Sequence, residues 1–176
     1  LYYDLVIGVN SETISFELKN KPDRRLSIFN FFLAAVSRGL DIHDHINRTV
    51  FSVILQIIDE LNCECLDAVN KLLDSFIANN QIVQNNQTLE VYSKIVSIFL
   101  KMLGDEDKDF QSQVLKSIIN LCENMSNYYS LEDIKKIFLE SEDFDNLDDM
   151  REDHDEAQFI IDNLEIDFEN ELNEFE

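Results

Sequence analysis

Three glycines and one proline in 176 residues constrain this chain more than any other feature. An average protein carries about 7% glycine and 5% proline, and folds with many turns need both. A chain this poor in turn formers is expected to be built from long helices. The apolar pattern agrees from Arg25 onward, where apolar residues recur at spacings of three and four, the period that lines one face of a helix. Leu26, Phe29, Leu33 and Val36 mark a first helix over residues 25–38, with Gly39 where a left-handed C-terminal cap is wanted. Ile46, Val50, Phe51, Ile54, Ile57, Ile58 and Leu61 mark a second over 44–62, with an apolar arc wide enough for burial on more than one side. The same period continues over 65–78, 88–103, 109–125 and 131–139. Thr88 reads as an N-cap, Gly104 as a helix end, and Ser130 with Asp133 as a capping box.

Upstream the period changes. Leu5, Ile7 and Val9, then Ile14, Phe16 and Leu18, alternate around Asn10-Ser11-Glu12, which predicts a β-hairpin and linker over residues 1–22. The helix starts fall near 25, 44, 65, 88, 109 and 131, so every second one recurs at 40 to 44 residues. In that periodicity residues 25–139 resemble two to three antiparallel helix pairs of a HEAT or armadillo array. The resemblance implies a mainly all-α chain with an α-solenoid segment. A compact six- to seven-helix bundle satisfies the same helix lengths and short loops.

The charge is as uneven as the periodicity. Residues 140–176 hold 17 Asp and Glu against Arg151 alone, which is −16 of the chain's −22. Such a charge repels phosphate backbones and anionic lipid, so neither nucleic acid nor membrane is expected as a direct partner. No apolar run reaches the roughly 18 to 20 residues of a membrane span. Leu1 to Asp4 lack the basic and apolar regions of a signal peptide, and Cys63, Cys65 and Cys122 cannot all pair within the chain. A reducing compartment follows as the expectation, cytoplasmic or nuclear. The acceptor-like triplets at Asn47, Asn86 and Asn124 are then expected to be chance matches.

Within the acidic end, residues 140–156 carry acid on all sides of Phe144, Leu147 and Met150, and are expected to be a flexible connector, extended or disordered when free. Residues 157–176 place Ala157, Ile160, Ile161, Leu164, Phe168, Leu172 and Phe175 at helical spacing, which predicts an amphipathic helix with an acidic outer face. Acid runs anchored by aromatics, as around Phe144 and Phe168, resemble the acidic-aromatic segments of histone chaperones and of transcription-factor activation regions. That resemblance implies a basic client, histones first. The candidate partner-binding residues are Phe144, Phe159, Ile160, Leu164, Phe168, Leu172 and Phe175.

Reaction chemistry finds little support. His43 and His45 with Cys63 and Cys65 are suitable metal-ligand types, but they flank a helix of about 18 residues, roughly 27 Å long. No elbow surrounds a serine, and glycines isolated at Gly8, Gly39 and Gly104 offer no phosphate loop. No cofactor, metal or catalytic residue is therefore expected. Lys19, Lys21, Arg24 and Arg25 form a small basic group, read as a solvated linker that could also receive the acidic end in cis. The expected function is that of a non-enzymatic adaptor that engages a basic protein or partner helix, or a groove in cis. The alternative is a bundle that sequesters a partner helix, with the acidic end as a solubilising appendage.

Overall fold

The computed structural model describes residues 11–39, 44–78 and 88–166, with backbone alone for 44–48 and Thr88. Among the described residues there are nine α-helices, two 3-10 turns and no strand. The chain divides into two units, Leu1–Ile98 and Phe99–Glu176.

In the first unit, α1 (Ser11–Asn20) buries Ile14 and Leu18, one turn apart, while Phe16 is 58% exposed. This corrects the expected second strand of a hairpin; its first strand lies outside the described residues. The two readings share Ile14 and Leu18, which are both two alternations and one helical turn apart, and the exposed Phe16 shows which period is realised. After a 3-10 turn, Pro22–Arg24, comes α2 (Arg25–Ser37), closed by Gly39 at φ 68°, where a side chain would be strained. Next is α3 (Asp44–Ile57), which tightens into a 3-10 turn, Ile58–Glu60, instead of continuing to residue 62. Asn62 is diverted to capping: its Oδ1 accepts the Cys65 N–H at 2.9 Å, at the start of α4 (Cys63–Ala78). Nine of the 16 residues of α4 are buried, so it is the central helix of this unit. It packs along α2, while α1 packs on α3, and the Phe51 and Phe76 rings meet edge to face at 5.3 Å.

Arg25 ties these helices together. It is buried, not part of a solvated basic group. Its Nε donates to the Leu18 carbonyl at 2.8 Å, and its two terminal nitrogens reach the Lys19 carbonyl, the Glu60 carbonyl and Glu60 Oε2, the last at 2.7 Å. A cation is thus placed on orphan carbonyls at the C-terminal end of α1, where the helix dipole favours it. Arg24 instead lies on the surface and pairs with Glu17.

The unit boundary falls within α5 (Thr88–Met102). The second unit continues with α6 (Lys108–Ser126), α7 (Leu131–Leu139), α8 (Asp145–Asp149) and α9 (Asp155–Asn163). Asp107 caps α6 by accepting the Asp109 and Phe110 N–H groups, and Ser130 and Asp133 form the expected capping box of α7. Helices α7 and α9 both pack on α6.

The acidic end differs from the extended connector expected over residues 140–156. Phe144 and Leu147 are buried, and the Asn146 amide donates to the Leu100 carbonyl at 3.0 Å. The expected helix over 157–176 is likewise interrupted. Ile166 N–H donates to the Ile161 carbonyl and Glu165 N–H to the Asp162 carbonyl, both at 3.2 Å, with Glu165 at φ 53°. That is the paired hydrogen bonding of a Schellman stop, completed by the buried Ile166.

Candidate partner-binding groove

Helices α6, α7 and α9 enclose an open apolar groove of about 290 Å³. Its lining comes from Ile119, Cys122, Glu123 and Ser126 of α6, Leu131 and Ile134 of α7, and Phe159, Ile160, Asn163 and Leu164 near the C-terminal end of α9. The capping box sets where α7 begins and so holds Leu131, its first residue, at the rim. On α9, Phe159 is 53% exposed whereas its neighbour Ile160 is buried, because Ile160 belongs to the stripe facing α6 and Phe159 lies beside it.

Of the expected partner-binding residues, the structure brings Phe159, Ile160 and Leu164 to this groove. Ile160 and Leu164 form its wall, and only Phe159 presents a large surface outward. Phe144 is buried elsewhere in the unit, while Phe168, Leu172 and Phe175 lie outside the described residues. The remaining apolar lining, Ile119, Cys122 and Ile134, falls within the helical periods over 109–125 and 131–139 and carried no further signal. The exposed rim residue Leu131 carried no signal beyond following a cap.

One acid, Glu123, lines the groove. Asp155 and Asp162 lie four residues before and three after Phe159 on α9, a helical turn to either side of it, and all three acids are exposed. Of the nearby lysines, Lys135 Nζ donates to the Glu165 carbonyl at 2.9 Å and Lys116 stands 3.9 Å from Glu156. Burial pushes the Cys122 thiol up to about 12, with the Glu123 charge adding to the rise and a backbone hydrogen bond opposing it. At neutral pH this sulfur is a protonated, apolar wall element and a poor nucleophile.

A polar lock positions α9. His154 precedes the helix and is buried, its Nε2 3.2 Å from Gln111 Oε1 and its Nδ1 3.3 Å from Ser112 Oγ. Gln111 spends its amide nitrogen on the Leu103 and Asp105 carbonyls, at 3.1 and 2.6 Å, so its oxygen is left to accept from the imidazole. Nε2 therefore carries hydrogen, and Nδ1 faces the Ser112 hydroxyl. A serine beside a histidine resembles the start of a hydrolytic triad, but the third group here is a neutral amide. It does not offset an imidazolium charge as a carboxylate does. The cluster holds the acidic helix against α6.

The other candidates are dispersed. Cys63 is exposed and Cys65 buried, with its thiol raised by burial against the lowering effect of Arg25. His43 and the His45 side chain lie outside the described residues. Among the described residues no group of three metal-ligating side chains occurs, and no helix is long and apolar enough to cross a membrane. Comparison with family models, with curated proteins and with solved structures finds no match.

Proposed function

We propose that this chain is a non-enzymatic interaction module whose C-terminal helical unit docks a basic protein. The observation that carries the reading is the concentration of charge beside an exposed aromatic. Residues 99–176 hold 24 of the chain's 36 acidic residues and six of its 14 basic ones, or −18 of −22. Next to Phe159, where that charge flanks an apolar groove, a cationic surface gains long-range attraction and a short-range contact together. The first unit is the scaffold in this adaptor reading, and the 40- to 44-residue recurrence of helix starts supports a HEAT-like stacking of helix pairs. A histone-like client, in the cytoplasm or nucleus, fits the acidic-aromatic character. The groove also favours the second reading, a regulator that sequesters a partner helix with its acid serving only solubility.

The test compares three full-length chains for binding to purified core histones at low and high salt. One is unaltered, one carries Asp145→Asn, Asp149→Asn and Glu152→Gln, and one carries Glu12→Gln, Asp23→Asn and Glu64→Gln in the first unit. The reading expects salt-sensitive binding that weakens, with a flatter salt dependence, in the second chain and not in the third. Equal effects in the two variants refute a dedicated acidic unit.

A further inference from the structure

We propose that the groove between α6, α7 and α9 anchors a basic amphipathic helix of a partner protein. One or two large apolar side chains of that helix seat between Cys122, Ile134 and Phe159, and its Lys and Arg face Glu123, Asp155 and Asp162. This rests on the acidic docking reading above and goes beyond it by naming the contact that supplies selectivity.

Size comes first. Pockets for complete small molecules bury most of the ligand's surface. This groove, about 290 Å³ and open along one side, instead suits side chains projecting from a larger body. Shape comes second: the walls come from three helices, and the described residues contain no strand whose edge an extended peptide could join. Between strand addition and a helix laid in a groove, these helical walls favour the helix, with anchors one turn apart.

Charge selects among occupants. The chain's own residues 167–176 carry the apolar set Phe168, Leu172 and Phe175, but also five acids and no base. Brought to a groove lined by Glu123 and flanked along α9 by Asp155 and Asp162, they meet like charge. A second copy of this acidic unit meets the same repulsion. A cationic helix with the same apolar spacing meets attraction instead. Lys135 Nζ, held on the Glu165 carbonyl, places one positive charge at the end of α9, against the three exposed acids Glu123, Asp155 and Asp162.

The experiment uses the full chain and fluorescein-labelled peptides of about 18 residues, long enough to be helical when bound. One peptide has lysine on its polar face and Phe and Leu along the other; the second has the same lysines with Ala at every apolar position; the third has the apolar face with Glu in place of Lys. Anisotropy titration is expected to give about tenfold tighter binding for the first than for the second, as a seated aromatic or leucine anchor typically supplies. Cys122→Phe, which fills the groove, and Phe159→Ser, which strips an exposed rim residue, are each expected to erase that preference. Both should leave binding of the second peptide and amide exchange at Leu115 and Ile118 of α6 unchanged, so that the groove is altered and the unit stays folded. A preference that survives both variants overturns the groove as the anchor.

Tighter binding of the third peptide, or a rise in affinity for the first on deleting residues 167–176, assigns the groove to the chain's own end and overturns the partner in trans. A dimer lost on Phe159→Ser overturns it in favour of a second copy. If the first two peptides bind equally, the groove proposal fails while acidic docking stands. If neither binds, both fail.

Discussion

The Gln111 and His154 lock gives the sharpest quantitative expectation. Gln111→Leu keeps the size of the side chain and removes three hydrogen bonds: those to the Leu103 and Asp105 carbonyls and the one accepted from His154. Each neutral bond contributes about 1 kcal/mol net, and the buried imidazole N–H left without an acceptor costs about 1 to 3 kcal/mol more. The half-buried Asp105 carbonyl can rehydrate, so a total of about 3 to 5 kcal/mol follows, a large share of the roughly 5 to 15 kcal/mol that holds a domain together. His154→Leu removes the shared bond and the Ser112 contact, for about 2 kcal/mol. The double variant no longer leaves a polar orphan opposite an apolar side chain. It counts the shared bond once and relieves the orphan, so it should fall short of the sum of the single losses by about 2 to 4 kcal/mol. Because the chain has two units, a single global transition is not the proper measure. Amide exchange at Ile160, Ile161 and Leu164 reads the unit concerned, since these amides belong to the helix the lock positions. A coupling of zero within about 0.3 kcal/mol would show that the histidine merely sits beside the glutamine, and would refute the lock.

Three further outcomes follow. Glu165→Gly relieves a left-handed residue and should stabilise α9 by about 1 kcal/mol, whereas Glu165→Val should destabilise it, as amide exchange along α9 will report. Arg25→Lys puts one ammonium where a guanidinium serves four acceptors, and should cost the first unit about 2 to 3 kcal/mol, read by amide exchange at Phe29, Val69 and Leu72. A loss below about 0.5 kcal/mol would remove Arg25 as its tie point. The Asp153 carboxyl is held below the usual carboxylate range chiefly by the hydrogen bond from Lys108 Nζ at 2.9 Å and by its charge, with partial desolvation opposing and His154 assisting. Because the folded form is the more acidic, the contact favours folding fully above the ordinary Asp value. That contribution is lost as pH falls through the depressed one. Side-chain NMR titration should show Asp153 rising to an ordinary value in Lys108→Met.

Much of the helical framework was legible because its signals are local. Gly39 at a left-handed stop, Ser130 and Asp133 as a capping box, and apolar stripes at three and four each report on one turn of chain. The failures lie where a local pattern has two solutions or where a distant group decides. Ile14 and Leu18 suit a strand or a helix, and packing on α3 selects the helix. No glycine marks the end of α9: Glu165 takes the left-handed conformation because burial of Ile166 and two closing hydrogen bonds outweigh about 1 kcal/mol of strain. Arg25 reads as solvated because its acceptors lie up to 35 residues away, and Gln111 and His154 are 43 apart. The groove was half legible: its α9 wall lay among the expected partner residues, while its α6 wall showed only as helix interior.

The acidic end shows how charge and burial divide a segment between them. Like charges a turn apart on a helix cost a few tenths of a kcal/mol each. A buried large apolar side chain contributes roughly 1.5 to 3 kcal/mol, an upper bound that assumes an extended unfolded chain. Between residues 140 and 166 the structure buries Phe144, Leu147, Ile160, Ile161, Leu164 and Ile166. Six such side chains outweigh the repulsion among acids that stay on the surface. The acid density is therefore compatible with a packed unit, and it acquires a fixed geometry from the anchors beneath it: Asp155 and Asp162 stand a turn either side of Phe159 because Ile160 and Ile161 are held against the core. Cutting the chain after Leu139 would remove these anchors, the α9 wall of the groove and the His154 lock together. Loss of binding in such a truncation reports unfolding as readily as loss of charge, and only surface substitutions that leave the anchors in place separate the two.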